Sequence, residues 1–196
     1  MAGRPRDPDL EARLLAAAWS LLLANGYDEL TIAKIAVEAN AHRSDIYRRW
    51  ASKAELVTAA VAAYQAPLAE ADTGSLLSDL RAALDTLEAR WSSAPASAIV
   101  AWLADVRRDP AAGDLHHTES KRATQALAQA LRRAVERGEI SAGADFDRTL
   151  GLVCDLLEGP VMHNHIFLRE PLLPGELDLI AGSVHRVLVE GRGTGE

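Results

Sequence analysis

A single cysteine, Cys154, stands in the whole chain. No intramolecular disulfide can staple the fold, and cysteine usage this sparse suits a reducing cytosol. Aromatic residues are scarce at 5%, and no stretch sustains the apolar/polar alternation of a strand. Long apolar runs are missing too. The nearest, Leu14 to Ala24 (LLAAAWSLLLA), follows Arg4, Arg6 and Arg13 as the core of a signal peptide would. Asp7, Asp9 and Glu11 interrupt that basic flank, however, and a run this short reads as a buried helix, neither exported nor membrane-spanning.

Catalytic signatures are equally absent. The chain has no Gly-x-Ser-x-Gly elbow, no Gly-rich phosphate loop and no dinucleotide fingerprint. Its histidines are His42, His116, His117, His163, His165 and His185. Residues one or two apart do not share a helix face, and no Glu-x-x-His accompanies them, so only a metal site assembled across helices stays open. Cys154 lies in an apolar segment, where a packed thiol is the plainer reading than a nucleophile. No residue emerges to carry catalysis, and the expectation is a protein that is not an enzyme and holds no cofactor.

What is present is alanine-rich and helical in period. With 48% hydrophobic and 25% charged residues over 196 positions, the chain has room for a small head and one further helical domain in an all-α fold. The stretch Thr31 to Lys53, TIAKIAVEANAHRSDIYRRWASK, organises the rest. Ile35, Ala36 and Ala39 form the apolar stripe of a helix over Ile32 to Ala39, with Thr31 as N-cap. Asn40 sits where the chain must reverse, and asparagine tolerates the left-handed conformation such a turn needs. A second helix follows from about Arg43 to Trp50. It buries Ile46 and Trp50 and leaves Arg43, Ser44, Tyr47, Arg48 and Arg49 on its other faces, a basic, hydroxyl-bearing surface suited to phosphates and base edges. Residues 1 to 64 balance eight basic against eight acidic residues, so the net charge of −7 lies wholly in residues 65 to 196. Between His42 and Lys53 four basic residues face one acidic residue, a local patch compatible with DNA binding on an acidic body.

The run NGYDELTIAKIAVEANAHRSDIYRRWASKAELV resembles the DNA-binding segment of the tetracycline-repressor-like (TetR) family of bacterial transcription regulators. Its marks are Gly26-Tyr27, the Thr-Ile before Ile35-Ala36, and Ile46-Tyr47-x-x-Trp50 followed by Ser52-Lys53. Two positions depart from the family's pattern: Asn40 stands where glycine is usual, and His42 where serine or threonine caps the recognition helix. The resemblance implies a helix-turn-helix head over residues 1–53, a helical effector-binding and dimerisation domain over 54–196, and about nine helices. It also implies a cytoplasmic, ligand-responsive regulator that as a dimer binds a near-palindromic double-stranded operator, with repression as the usual mode. A helical dimer that has lost DNA binding is the alternative, against which the intact phosphate and base chemistry of the second helix speaks. By the same resemblance, Arg43, Ser44 and Asp45 face bases. Thr31, Tyr47 and Lys53 position the backbone, and Arg49 lies close to either.

Along the rest of the chain, Arg4 and Arg6 belong to a basic arm or a merely solvated terminus. Asp7-Pro8 opens a helix with Leu10, Leu14, Ala18, Leu21 and Leu22 inward, ending at Asn25-Gly26. Ser52-Lys53-Ala54-Glu55 is a capping box for a fourth helix with Leu56, Val57, Ala60 and Val61 buried, ending near Pro67 and linking the two domains. Beyond it the punctuation predicts helices over Ser75 to Ser93 and Pro95 to Asp109, a break at Asp109 to Gly113, and one helix from about Thr118 to Arg137 ended by Gly138. Asp145 caps the next, running toward Arg169 and bent at Gly159-Pro160, and Gly175 to Glu190 is the last. The last two helices resemble the family's dimerisation element. Leu150, Val153, Leu157, Val161, Leu177, Ile180, Val184, Val187 and Leu188 supply either that interface or intramolecular core. The domain that the resemblance implies has a pocket for an unidentified small-molecule effector, for which Trp91, Trp102, Met162, His163 and Phe167 are candidates, although each taken singly reads more readily as core.

Overall fold

A computed structural model of the chain describes residues 8–64, 70–93, 95–141 and 145–190. The calls on Arg4, Arg6, Asp7, Pro67 and the GRGTGE tail fall outside these residues. Among the described residues there are ten α-helices, one π-helical turn and no strand, the all-α fold expected from the composition. The helices are α1 (Pro8–Glu29), α2 (Ile32–Glu38), α3 (Arg43–Tyr47), α4 (Lys53–Tyr64), α5 (Leu76–Ser92), α6 (Ala96–Val106), α7 (Pro110–Ala123), α8 (Gln125–Glu136), α9 (Phe146–His163) and α10 (Pro174–Glu190). The π-turn, Asn164–Leu168, continues α9.

Packing divides the chain into two compact units. The first holds residues 8–64 together with 95–120, and the second holds 70–93 with the described residues from 121 to 190. The first unit is therefore discontinuous in sequence. In it α1 packs against α2, α4 and α6, while α4 also meets α6. Leu14, Ala18 and Leu22 of α1 and Leu56, Val57 and Ala60 of α4 have no exposed surface. Burying a leucine or valine side chain stabilises by about 1.5–3 kcal/mol, which is how five- and seven-residue helices such as α3 and α2, too short to persist alone, are held in place. In the second unit α5 is central, packed against α8, α9 and α10. Its Leu76, Leu80, Leu84 and Leu87 share a core with Leu127 and Leu131 of α8, Val153, Leu157 and Val161 of α9, and Leu177, Ala181 and Val184 of α10.

Local chemistry sets the helix ends. α1 is broken at Gly26 (φ 76, ψ 172), the position at which its end was expected, and one more turn follows. Thr31 Oγ1 accepts from the Lys34 N–H at 3.2 Å, Ser75 Oγ from Ser78, and Asp145 Oδ1 from Arg148 at 3.0 Å. Ser52 Oγ accepts from the Glu55 N–H at 3.0 Å, and Glu55 reaches back to the Ala51 N–H. Between α6 and α8 the boundaries differ from expectation. The break around Asp109 is shorter than expected: α6 ends at Val106, and Asp109 already caps the next helix, its Oδ1 accepting from the Ala111 and Ala112 N–H groups at 3.0 and 3.2 Å, with Pro110 opening α7 as its first residue. The single helix expected from about Thr118 to Arg137 is two, with an interruption at Thr124 between α7 and α8. Gly138 (φ 73) ends α8 as expected.

The last two helices bring a second correction. Val153, Leu157, Val161, Leu177 and Val184, read from the sequence as candidates for the dimer interface, lie in the protomer's own core at 5% exposure or less. Leu150, Ile180 and Leu188 are partly buried against that core. Of the nine, Val187 alone is well exposed, at 60%, and it is joined on the surface of α9 and α10 by Leu152, Leu156 and Leu179.

Candidate nucleic-acid interface

The turn between α2 and α3 is built from hydrogen bonds that close α2. Asn40 adopts φ 49, its N–H donates to Val37 O at 3.1 Å, and the Ala41 N–H donates to Ala36 O at 2.8 Å. This pair of bonds satisfies the last carbonyls of α2 and aims the chain into α3. His42 then takes extended backbone (φ −93, ψ 148) as the N-cap of α3. The Asp45 carboxylate accepts from the His42 N–H at 3.2 Å, one half of a capping box, and its other oxygen pairs with Arg48.

The regular part of α3 ends at Tyr47, three residues before the expected end, but the chain keeps turning: the Arg49 and Trp50 N–H groups both donate to Ile46 O, at 2.8 and 3.0 Å. Ile46 is fully buried and Trp50 nearly so at 7% exposure. With those two locked inward, Arg43, Ser44, Tyr47 and Arg48 are left exposed on the outer faces. That is a surface of two guanidinium groups, an aliphatic hydroxyl and a phenol, able to donate to phosphate oxygens and to the acceptors of guanine.

The other predicted contact residues are placed differently. Thr31 is exposed, with its oxygen engaged in capping α2. Asp45 is tied to the His42 N–H and to Arg48. Arg49 is mostly covered: it donates to Asp45 O at 2.9 Å and lies 3.7 Å from Glu11 of α1. Lys53 Nζ donates to Tyr27 O at 3.1 Å and sits 3.9 Å from the centroid of the Tyr27 ring. Tyr27 itself is 2% exposed, and its hydroxyl donates to Asp105 Oδ2 of α6 at 2.9 Å. Burial, then the Asp105 carboxylate, raises the Tyr27 pKa above its ordinary value, so the phenol stays protonated. Arg48, left on the outer face by the sequence pattern but given no contact of its own, is exposed beside Tyr47, and Val37, to which the sequence pattern assigns no role, is 81% exposed on α2. An apolar side chain left out on the helix before the turn is the signal that could have marked it.

The five pocket candidates are spread over both units. Trp102 of α6 belongs to the first unit, where it is 3% exposed, donates from Nε1 to Thr58 Oγ1 of α4 at 3.1 Å, and meets the His116 ring edge-on at 5.3 Å. The other four lie in the second. Trp91 Nε1 donates to Glu158 at 3.4 Å and its ring stacks on His165. Met162 is partly buried, while His163 lies against Phe167, which is 69% exposed. His165 pairs with Glu88 at 2.5 Å, and Glu88 also accepts from the Leu172 N–H. None of the five lines a half-open cleft of about 180 Å³ bordered by Leu131, Val135, Phe146, Thr149, Val187 and Leu188. Among the described residues no group of three or more His, Cys, Asp or Glu could hold a metal ion, and no helix is long and apolar enough to cross a membrane.

Two family models match this chain. Residues 14–60 match "Bacterial regulatory proteins, tetR family", and residues 70–190 match "Tetracyclin repressor-like, C-terminal domain". An uncharacterised HTH-type transcriptional regulator of Mycobacterium tuberculosis (strain H37Rv) is 38% identical over 177 residues, covering 87% of this chain and 85% of the relative. A DNA-binding transcriptional repressor TetR of Mycobacteroides abscessus is 32% identical over 187 residues, covering 94% and 96%. Among solved structures, a TetR-family transcription regulator superposes with a TM-score of 0.70 at 23% identity, covering 91% of this chain and 97% of its own. With both segments matched and the fold shared, the chain belongs to the TetR family of bacterial transcriptional regulators.

Proposed function

We propose that this regulator is a cytoplasmic repressor that binds a near-palindromic operator as a homodimer and releases it when a small molecule occupies its C-terminal domain. The observation that carries the reading is the outer surface of α3, where buried Ile46 and Trp50 fix the rotation of the helix and turn Arg43, Ser44, Tyr47 and Arg48 outward. Arg43 and Ser44 read base edges. Tyr47, Arg48, Lys53 and the Thr31 hydroxyl take phosphates, while Asp45 and Arg49 hold the helix in place. In function the chain divides at the start of α4, residues 1–53 contacting DNA and 54–196 carrying effector binding and assembly.

Leu152, Leu156, Leu179 and Val187 supply the apolar surface for the second copy, because they are the large apolar residues of α9 and α10 left well exposed by the protomer's own core. A two-fold dimer presents two copies of α3 to successive major grooves. The effector remains a small molecule of unidentified chemistry. Trp91, Met162 and His163 are the candidates in the second unit to contact it, with Phe167 at their edge, and Trp102 acts on α4 from within the first unit. The experiment is enrichment of bound duplexes from a random pool, followed by fluorescence-anisotropy titration of the enriched sequence. A half-site repeat at a spacing of about one helical turn is the expected result. Binding that does not prefer the enriched sequence over scrambled DNA would refute the reading.

A further inference from the structure

Lys53, Tyr27 and Asp105 are far apart in sequence and consecutive in space. Tyr27 follows the Gly26 break, so it sits on the short turn that joins α1 to α2. Its three polar or π features are all in use: the hydroxyl donates to Asp105, the carbonyl accepts from Lys53 Nζ, and the ring face receives the same ammonium. An ammonium has three donors. One is spent on the Tyr27 carbonyl, and neither that carbonyl nor the ring carries a formal charge, so neither neutralises the charge of Lys53. Donation of the phenol proton toward a carboxylate makes the ring richer in electrons, which strengthens its hold on a cation above it. Asp105 in turn is fixed on α6, three residues after Trp102, whose indole N–H is bonded to Thr58 of α4. Residues three apart on a helix share a face. One face of α6 thus holds both the α1–α2 turn and α4.

We propose that Asp105 is a positioning residue for DNA binding: through the Tyr27 hydroxyl it fixes the ring and carbonyl that seat Lys53, so the place of a phosphate-binding cation at the start of α4 is set from α6. This rests on the regulator reading above and adds a route to it. A shift of α6 reaches a phosphate contact directly, without any change in the separation of the two recognition helices.

The test uses the full chain and a labelled duplex enriched by the wild-type protein from a random pool, with affinity measured across a salt series. Asp105→Ala and Tyr27→Phe each remove the hydroxyl bond, and Tyr27→Phe keeps the ring, so one variant serves if the other fails to fold. Each protomer brings its own Lys53 to the operator, so losing the contact removes two phosphates per dimer and lowers the slope of log affinity against log salt by about 1.8, which at 0.1 M salt is about sixtyfold in affinity. The expected result is that loss for Asp105→Ala, Tyr27→Phe and Lys53→Ala alike, with Asp105→Ala adding little in the Lys53→Ala background. Asp105→Asn, whose carboxamide oxygen still accepts from the phenol, restores binding. An unchanged slope for Asp105→Ala, or a loss that persists in full when Lys53 is already gone, overturns the positioning role while leaving the regulator reading intact. If the wild-type chain enriches no duplex at all, the regulator reading falls and the relay with it.

Discussion

Leu156 and Leu157 are neighbours on α9, yet replacing them should break different things. Successive helix positions point about 100° apart, and here that rotation sends Leu157 into the core at 0% exposure and leaves Leu156 40% exposed. Leu157→Ala empties part of the packing around α5 and α10 and should cost about 2.7–5 kcal/mol of folding stability. At about 2–4 °C per kcal/mol for a chain of this size, melting should fall by roughly 5–20 °C. Leu156→Glu acts on assembly instead. With two-fifths of its surface free for a partner, burying it contributes about 0.6–1.2 kcal/mol per protomer on the usual scale for a leucine. Symmetry doubles that to about 1–2.5 kcal/mol. A carboxylate left without a partner in the same apolar contact adds at least about 1 kcal/mol per protomer. The sum is about 3 kcal/mol or more, a loss of dimer affinity of roughly a hundredfold. Sedimentation equilibrium should therefore show Leu156→Glu as monomer at micromolar concentration with helical circular dichroism retained, and Leu157→Ala as dimer with a lowered melting temperature. A Leu156→Glu chain that dimerises within threefold of wild type would refute this interface, whatever Leu157→Ala does.

Arg43→Ala should cost about 1–3 kcal/mol of operator affinity and relax preference at a single base pair, read by titrating a panel of point-substituted operators; equal selectivity in variant and wild type would remove Arg43 from base reading. Asn40→Val forces a β-branched residue to φ 49 and should destabilise by roughly 1–2 kcal/mol, whereas Asn40→Gly should be neutral or better in the same urea titration. Burial, with Glu158 and Asp155 nearby, pushes the Cys154 thiol up to about 11 from an ordinary 9.0. The unfolded thiol ionises first as pH rises, so this part of the stability is intact below about pH 9 and is lost between pH 9 and 11. Cys154→Ala should flatten that part of the stability curve; an identical alkaline decline in the variant would assign it elsewhere.

The parts of this structure legible in the sequence are those settled within a few residues. Asn40 entering the left-handed region, Thr31 and Asp145 as caps, the Ser52–Glu55 box and the Gly138 stop are all decided by groups three or four positions apart. Asp109-Pro110 shows where such reading slips, since the dipeptide that breaks one helix is also a good start for the next. The interruption at Thr124 carries neither glycine nor proline and leaves no local mark. The faces of α9 and α10 were harder still. Apolar residues occur on two sides of α9, and periodicity does not say whether Leu157 or Leu156 meets the protomer's own core; that depends on where α5 lies. The Tyr27–Asp105 bond spans 78 positions and Trp102–Thr58 spans 44, distances over which sequence spacing carries no information. Nothing near Trp102 in the sequence therefore marks its bond to Thr58 on α4.

The discontinuity of the first unit bears on how the protein can be made and cut. A nascent chain that has emerged only as far as residue 64 contains every helix of the DNA-contacting segment but lacks the acceptor for the Tyr27 hydroxyl and the indole that bonds Thr58. The head can finish folding only after the ribosome has delivered α6, so completion waits on contacts of long sequence separation, which form slowly. The same holds for chimeras. A graft that exchanges residues 1–64 between regulators and leaves residues 95–120 behind would join a head to another protein's α6, and its success would hang on whether that helix offers groups equivalent to Asp105 and Trp102.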